Sequence, residues 1–388
     1  MKGRNLLMIP GPIEFEPDVL AAMSVPTDSH VSPDFIERYG HSLDLLKEIF
    51  LAPQGQPFVV AGSGTLAMDM AVVNLVEPGD KTLVVSSGYF GARFQDLFSR
   101  YGVQADIVSA PVGDFPTLEA VETALKAGGY KLMTVTHVDT STGVRADIQP
   151  LAKLASQYGA LIVVDGVASA AGEKMLQGEW DVDVYLTASQ KAIGVPPGLA
   201  LLVASPRAMQ VFHDRKAPVS NYYADFTNWL PIMQAYQARK PAYFGTPPVN
   251  TILALEVSLG QLLAEGMQAR FTRHATMGAA FRAAMSSLGL AIVPVRADIA
   301  SDTLTAVYYP EGVDASLLGQ IKKRGVILAG GLHPEIKTQY FRIGHMGSVD
   351  QSDLLGTIGA IEAGLKAVGY SFEPGAGLSA AQSVLLAE

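Results

Sequence analysis

The sequence has 388 residues, 49% of them hydrophobic, and no cysteine, which excludes disulfide frameworks, thiolate metal sites, iron–sulfur clusters and every cysteine nucleophile. Acidic residues outnumber basic ones 37 to 28, a formal net charge of −9, so no chain-wide positive field exists to hold a nucleic-acid backbone. Charged residues are only 17% of the chain against roughly 25% in an average soluble domain, which points to surface buried between the subunits of a homo-oligomer.

The first nine residues include two basic side chains but meet Pro10-Gly11-Pro12 before any signal-like apolar core develops. No apolar run approaches the ~18–20 residues of a membrane span, and the end, Leu386-Ala387-Glu388, is not a peroxisomal address; the expected location is the cytoplasm. From about residue 57 to 205, β-rich runs alternate with helical patterns, the signature of parallel strands joined by helical crossovers. Strands are expected at 57–61, 82–86, 105–109, 132–136, 160–165, 182–187 and 199–204, and helices at 65–75, 92–101, 118–127 and 148–158. Most of the strands are continuous apolar runs, as strands buried on both faces should be.

A Pro-, aromatic- and polar-rich stretch, 216–248, breaks this rhythm before a connecting helix at 250–265. Beyond it the texture changes: a helix at 268–288, strands near 290–295 and 304–309, a helix at 315–324, strands at 326–328 and 339–343, and a helix at 352–368. The fold expected is α/β, a mostly parallel central sheet with helices on both faces, followed by a smaller α+β C-terminal domain with an antiparallel sheet. The division is an N-terminal arm at 1–14, a large domain at 15–260 and a small one at 261–388. The small-residue tail 375–388 is expected to be frayed or loosely docked.

Three features carry chemistry. Gly62-Ser63-Gly64-Thr65-Leu66-Ala67 follows a strand and opens a helix, where glycines admit a close ligand and free amides favour an anion such as phosphate. The same G-x-G-x-x-A satisfies a dinucleotide fingerprint, and equally a plain strand-to-helix turn. Asp165 ends a strand at the sheet edge where open α/β folds bind ligands, though an acid there can be only a strand terminator. Lys191 lies in an apolar segment bounded by Gly194, where desolvation would make its neutral amine available as a Schiff-base former; most lysines are merely solvated. Taken together, a phosphate turn, an acid at a strand end and a lysine after the next strand are the order in which a pyridoxal-phosphate site is assembled.

The chain resembles the class V, fold-type I pyridoxal-phosphate aminotransferases, most closely the alanine–glyoxylate aminotransferases of the short yeast kind. The segments that carry the resemblance are LMIPGP from Leu7, QPFVVAGSGT from Gln56, VTHVDTSTG from Val135, VVDGVAS from Val163, LTASQKAIG from Leu186, AYFGTPPV from Ala242 and FRIGHMG from Phe341. The resemblance implies that Ser63, Gly64 and Thr65 hold the cofactor phosphate, that Lys191 binds its aldehyde as an aldimine, and that Asp165 pairs with the pyridinium nitrogen. Gln190 and Thr140 would hydrogen-bond the cofactor, and Phe90 would stack on its ring where relatives often have Trp; Tyr89, next to it, is the alternative. Tyr243 and Thr246 would reach the phosphate of a neighbouring subunit, making a homodimer with shared sites. Arg342 would hold the substrate carboxylate, and Gly11 would lie in a loop lining the substrate site.

The reaction implied is a ping-pong transamination, alanine and glyoxylate to pyruvate and glycine, a route of glycine biosynthesis; serine–glyoxylate and ureidoglycine–glyoxylate enzymes share every motif used. The desulfurases of class V need a cysteine that is missing here. An NAD-dependent dehydrogenase using Gly62–Ala67 is the remote alternative, but no acid stands ~20 residues after the turn and Lys191 would have no role. No pair of the seven histidines has the i, i+4 spacing of a helical metal site, and no metal is expected. His333 and His345, near Arg342, fit either a substrate role or a structural one.

Overall fold

The computed structural model describes residues 5–387; the first four residues of the expected arm and Glu388 of the expected tail lie outside the described residues. A seven-stranded sheet organises the first part of the chain. Its strands are β1 (Gln56–Ala61), β2 (Lys81–Ser86), β3 (Gln104–Ser109), β4 (Leu132–Thr136), β5 (Leu161–Asp165), β6 (Val184–Ala188) and β7 (Leu199–Ala204). They lie in the order β1-β7-β6-β5-β4-β2-β3. All neighbours pair in parallel except β7, which runs antiparallel to both β1 and β6.

The strands expected from continuous apolar runs are those buried along their length: β4, β5, β6 and β7 have no exposed residue. Strand β3, at the sheet edge, has a mixture of half-buried and exposed positions and no fully buried one. Its Asp106 pairs with Lys81 at 2.9 Å, a charge on an edge that would otherwise offer unpaired backbone to another chain. Strand β7 reverses direction because the ten residues from Ser189 to Gly198 return the chain directly, without the helical crossover a parallel neighbour needs.

Within the stretch 216–248, a helix covers Phe226–Gln237 despite Pro231 inside it. Phe226, Trp229, Leu230, Met233 and Tyr236 are buried at helical spacing, and Phe226 stacks on Phe58 of β1 with ring centroids 4.1 Å apart. That apolar face outweighs the hydrogen bond a proline forfeits.

The C-terminal part has its own apolar cluster, built on Phe281, Met285, Phe341, Ile343, Ile358 and Leu365. Strands Leu304–Tyr308, Tyr340–Gly344 and Ala329–Gly330 form its antiparallel sheet, with Tyr340–Gly344 central. Two expectations are corrected. The strand expected near 290–295 is reduced to one bridge, Ile292 to Val307, because Pro294 has no N–H to continue a ladder. Val326–Ile327 pairs in parallel with Leu6–Leu7, outside the three-stranded sheet, and Met8 is fully buried in the same apolar cluster.

The tail expectation is also overturned. Residues Ala376–Leu385 form a helix with Gly377, Ala381 and Leu385 buried. The buried carboxylate of Glu362 accepts N–H bonds from Gly375 at 2.9 Å, Gly377 at 3.0 Å and Leu378 at 3.3 Å. A Cβ on Gly377 would stand 3.0 Å from that carboxylate, so the small residues that make the tail look unstructured are what allow it to dock. Removing an acceptor from buried donors costs about 1–3 kcal/mol. Glu362→Ala is therefore expected to lower urea-unfolding stability by about 2 kcal/mol and expose the last turn to protease, with Glu362→Gln closer to wild type; unchanged stability in both variants would refute this role.

Candidate active site

Five strand ends converge at one edge of the sheet. Strand β1 leads into the Gly62–Ser63 turn and a helix over Gly64–Val73; β2 into a helix over Tyr89–Arg100; β4 into the segment of Thr140. Strand β5 ends in Asp165 itself, and β6 stops at Ala188, three residues before Lys191. A cavity of about 200 Å³ lies there, lined by Ser63, Gly64, Thr65, Phe90, Thr140, Asp165, Gln190 and Lys191 together. These eight sequence-expected residues come from positions up to 128 apart (191 − 63) yet share one wall. Phe90, and not Tyr89, lines the cavity. A Cβ at Gly64 would stand 2.8 Å from Val167, so that wall closes only with glycine in place.

The two ionisable groups at its centre are both desolvated and do not form an ion pair. The Asp165 carboxylate accepts the Val167 N–H at 2.9 Å. Burial pushes its carboxyl up to about 6, with the nearby Asp139 charge adding to the effect. Lys191 is pushed down to about 8, first by burial and then by the positive charge of Arg342, with Asp165 opposing. Its amine donates to the carbonyl of Pro10. Gly11, at φ 91°, follows directly, and a Cβ on it would stand 2.4 Å from Lys191 Cδ; glycine is what allows the arm to pass over the lysine.

Arg342, on the central strand of the C-terminal sheet, donates from Nε to Gly330 O at 2.9 Å and from Nη1 to Thr140 O at 3.1 Å. Both partners are neutral carbonyls. No carboxylate pairs with it among the described residues, so its positive charge is left for a ligand. Tyr243 and Thr246 are exposed and contact each other at 3.4 Å; neither lines this cavity. His345 is buried, stacked on Phe281 at 4.9 Å and bonded to Thr305 at 2.9 Å, and burial pushes it down to about 3, so its role is structural.

Two residues at the site escaped the sequence reading. Asp139, fully buried, accepts the N–H of Phe90 at 2.9 Å and of Gly91 at 3.0 Å, and its other oxygen accepts the Ser141 N–H at 2.9 Å. It caps the Phe90 helix from 49 residues away, and the helix's own N-cap, Gly88, has no side chain to do so. No local pattern encodes such a cap. Arg93, one turn into the same helix, also lines the cavity.

The residues fit pyridoxal phosphate. The Gly64–Val73 helix starts with no side-chain cap and no acid in its first turn, leaving amides and the positive dipole end for a phosphate. Asp165 lacks a cationic partner, which a ring N–H would provide. Gln190 Oε1 is buried with no hydrogen bond at all, a donor-seeking atom at the cavity wall. Among the described residues, no group of three or more His, Asp or Glu could hold a metal ion.

Comparison with known proteins agrees with this geometry. The family model described as aminotransferase class-V matches residues 20–346. Alanine–glyoxylate aminotransferase 1 of Saccharomyces cerevisiae is 39% identical over 360 residues, 89% of this chain and 93% of its own length. L-aspartate–glyoxylate aminotransferase of Paracoccus denitrificans is 33% identical over 98% of this chain and 96% of its own. The crystal structure of ureidoglycine–glyoxylate aminotransferase from Bacillus subtilis matches with a TM-score of 0.92 at 25% identity, covering 100% of this chain and 99% of that one.

Because Lys191 is held down to about 8, its reactive neutral form should grow as pH rises through that value, well below the ~10.4 of an ordinary lysine. In cofactor-free protein, acetylation of Lys191 by acetic anhydride, followed by mass spectrometry, is expected to be half-maximal near pH 8. Titration together with the surface lysines would contradict the desolvated site.

Proposed function

The chain belongs to the aminotransferase class-V family, whose members are pyridoxal-phosphate enzymes, and on that premise we propose that it transfers the amino group of L-alanine to glyoxylate, giving pyruvate and glycine. Relatives named for glyoxylate support the acceptor, and the alanine–glyoxylate relative at 39% identity supports the donor. The observation that carries the reading is Arg342, a guanidinium without an acid partner whose charge is felt at Lys191. It offers one α-carboxylate a bidentate hold that lysine cannot reproduce. The cavity is small, and glyoxylate has no side chain to recognise, so selection rests on that anchor and on excluding larger oxo acids.

Pyridoxal phosphate, when bound, supplies an aldehyde that carries the amino group and a ring that draws electrons from the donor's Cα. Ser63, Gly64 and Thr65 would hold its phosphate, Asp165 its ring nitrogen, Gln190 and Thr140 its polar substituents, and Phe90 its ring face, with a smaller stacking area than Trp and no N–H. Lys191 is the residue for the aldehyde. Its lowered basicity leaves much neutral amine near pH 8; once free of the aldehyde, its Nζ would take the Cα proton of alanine and give it to the carbon that bears the transferred amino group within the same half-reaction, and the second half-reaction would run this transfer in reverse, ending with a proton on the Cα of glycine. Gly11 keeps the arm's backbone close over that proton's path.

Tyr243 and Thr246 have no role at their own chain's cavity. Their exposure, with Tyr222 and Tyr223 also exposed on the neighbouring segment, supports a homodimer in which they serve the partner's cofactor. The division into an arm at 1–14, a large domain at 15–260 and a small one at 261–388 then puts Lys191 and Asp165 on one side of the substrate and Arg342 on the other.

Among alanine, serine and aspartate with glyoxylate as acceptor, alanine is expected to give the highest kcat/KM. Arg342→Lys should lower that value roughly 100-fold, the loss of a charge-assisted bidentate contact of about 2–3 kcal/mol. Faster turnover of serine or aspartate would overturn the donor, and transamination surviving in Lys191→Ala would overturn the mechanism. Light scattering should give twice the chain mass.

A further inference from the structure

We propose that Arg93 supplies the positive charge that the cofactor's phosphate requires, acting at the phosphate turn beside Thr65. The inference rests on the placement of that phosphate at Ser63, Gly64 and Thr65. A phosphate monoester carries about −1.5 to −2 charges near pH 7, while a helix N-terminus offers only about +0.5. The residues placed around it are neutral: Ser63, Gly64 and Thr65 from this chain, and the hydroxyls of Tyr243 and Thr246 from a second copy. A charge of about −1 is left uncompensated in a partly desolvated site, where it is costly.

Arg93 is positioned to meet that need. It sits three residues after Phe90 on one helix, a spacing that puts both on the same face, and both line the cavity. Its guanidinium carbon lies 5.8 Å from the centroid of the Phe90 ring, within cation–π range. Its Nη2 donates to Thr65 Oγ1 at 3.4 Å, a long bond that leaves most of its donors uncommitted. No carboxylate pairs with Arg93 among the described residues, whereas Arg38, Arg145, Arg207, Arg239, Arg270 and Arg273 each have an acid within 4.0 Å. Two arginines without acid partners among the described residues thus act at this site: Arg93, which lines the cavity beside the phosphate turn, and Arg342, outside that lining, whose charge is felt at Lys191. The contact with Thr65 assigns Arg93 to the cofactor and leaves Arg342 to the substrate.

The test compares two ligands that differ only in the phosphate. Binding of pyridoxal phosphate and of pyridoxal to the cofactor-free protein is followed by absorbance, without any turnover, for wild type, Arg93→Gln and Arg93→Lys. Wild type should prefer pyridoxal phosphate strongly. Arg93→Gln should weaken pyridoxal phosphate about 10- to 100-fold, the range for a charge-assisted hydrogen bond, and leave pyridoxal unchanged, while Arg93→Lys keeps most of the preference. Equal loss for both ligands would mark Arg93 as merely structural and overturn the proposal, as would no loss for either. If Arg93→Gln spares both ligands and instead lowers turnover of aspartate alone, the guanidinium serves a donor's second carboxylate and the proposal fails. Should wild type itself bind the two ligands equally, the phosphate placement fails, and that outcome is distinct from failure of Arg93.

Discussion

Two opposite charges, Lys191 and Asp165, are buried in one cavity without neutralising each other, and the rest of the site is arranged to keep them so. A direct ion pair would satisfy both groups and close the space a ligand needs. Kept apart, each bears a desolvation cost that shows as a carboxyl pushed up to about 6 and an amine pushed down to about 8. Only a rigid scaffold sustains this. Asp165 ends β5 and Lys191 follows β6, adjacent parallel strands buried along their whole length.

The lysine is fixed from two sides. Its amine donates to Pro10 O in the arm. The arm is anchored in turn by Leu6–Leu7 pairing with Val326–Ile327 and by buried Met8. Behind it, Arg270, buried and paired with Glu265 at 2.7 Å, donates to Ala192 O at 2.8 Å and to Ala171 O at 2.6 Å. The same helix continues through His274, whose Nε2 accepts the N–H of Gly347 at 3.0 Å, five residues after Arg342. One helix, Met267–Ser287, therefore holds both the lysine loop and the loop following the arginine strand, and any shift between the two parts of the chain reaches both cations.

Net charge says little about what binds here. The chain carries −9, yet its cavity is lined by Lys191 and Arg93 and Arg342 acts on Lys191 from beyond that lining, the two arginines having no acid partner among the described residues. Local desolvation and the absence of a paired carboxylate decide anion binding, since a potential averaged over the surface is screened within about 8–10 Å. The missing cysteine has the opposite character: it is a global count with a sharp local meaning, because it separates a transaminase from desulfurases built on similar scaffolds.

Local pattern made much of this protein legible. Strands buried on both faces must be apolar throughout, so β4 to β7 stand out in the chain; a phosphate turn needs glycine and small hydroxyls, and an acid or lysine just past an apolar run marks the sheet edge. Where the deciding partner is far along the chain, pattern is silent. The Phe226–Gln237 helix is hidden by Pro231 until its apolar face meets Phe58; the tail is helical because Glu362 waits for its amides; Pro294 stops a strand that β propensity favours. Asp139 caps a helix 49 residues away, and Arg93 reads as an ordinary surface arginine until Thr65 and Phe90 are beside it. The sequence by itself determined the fold class and the placing of Asp165 and Lys191 just past apolar runs at the sheet edge, since these follow from short-range apolar and glycine spacing. Only the tertiary structure decided which charges remain unpaired, because a charge is free or satisfied according to neighbours that the chain brings in from any distance.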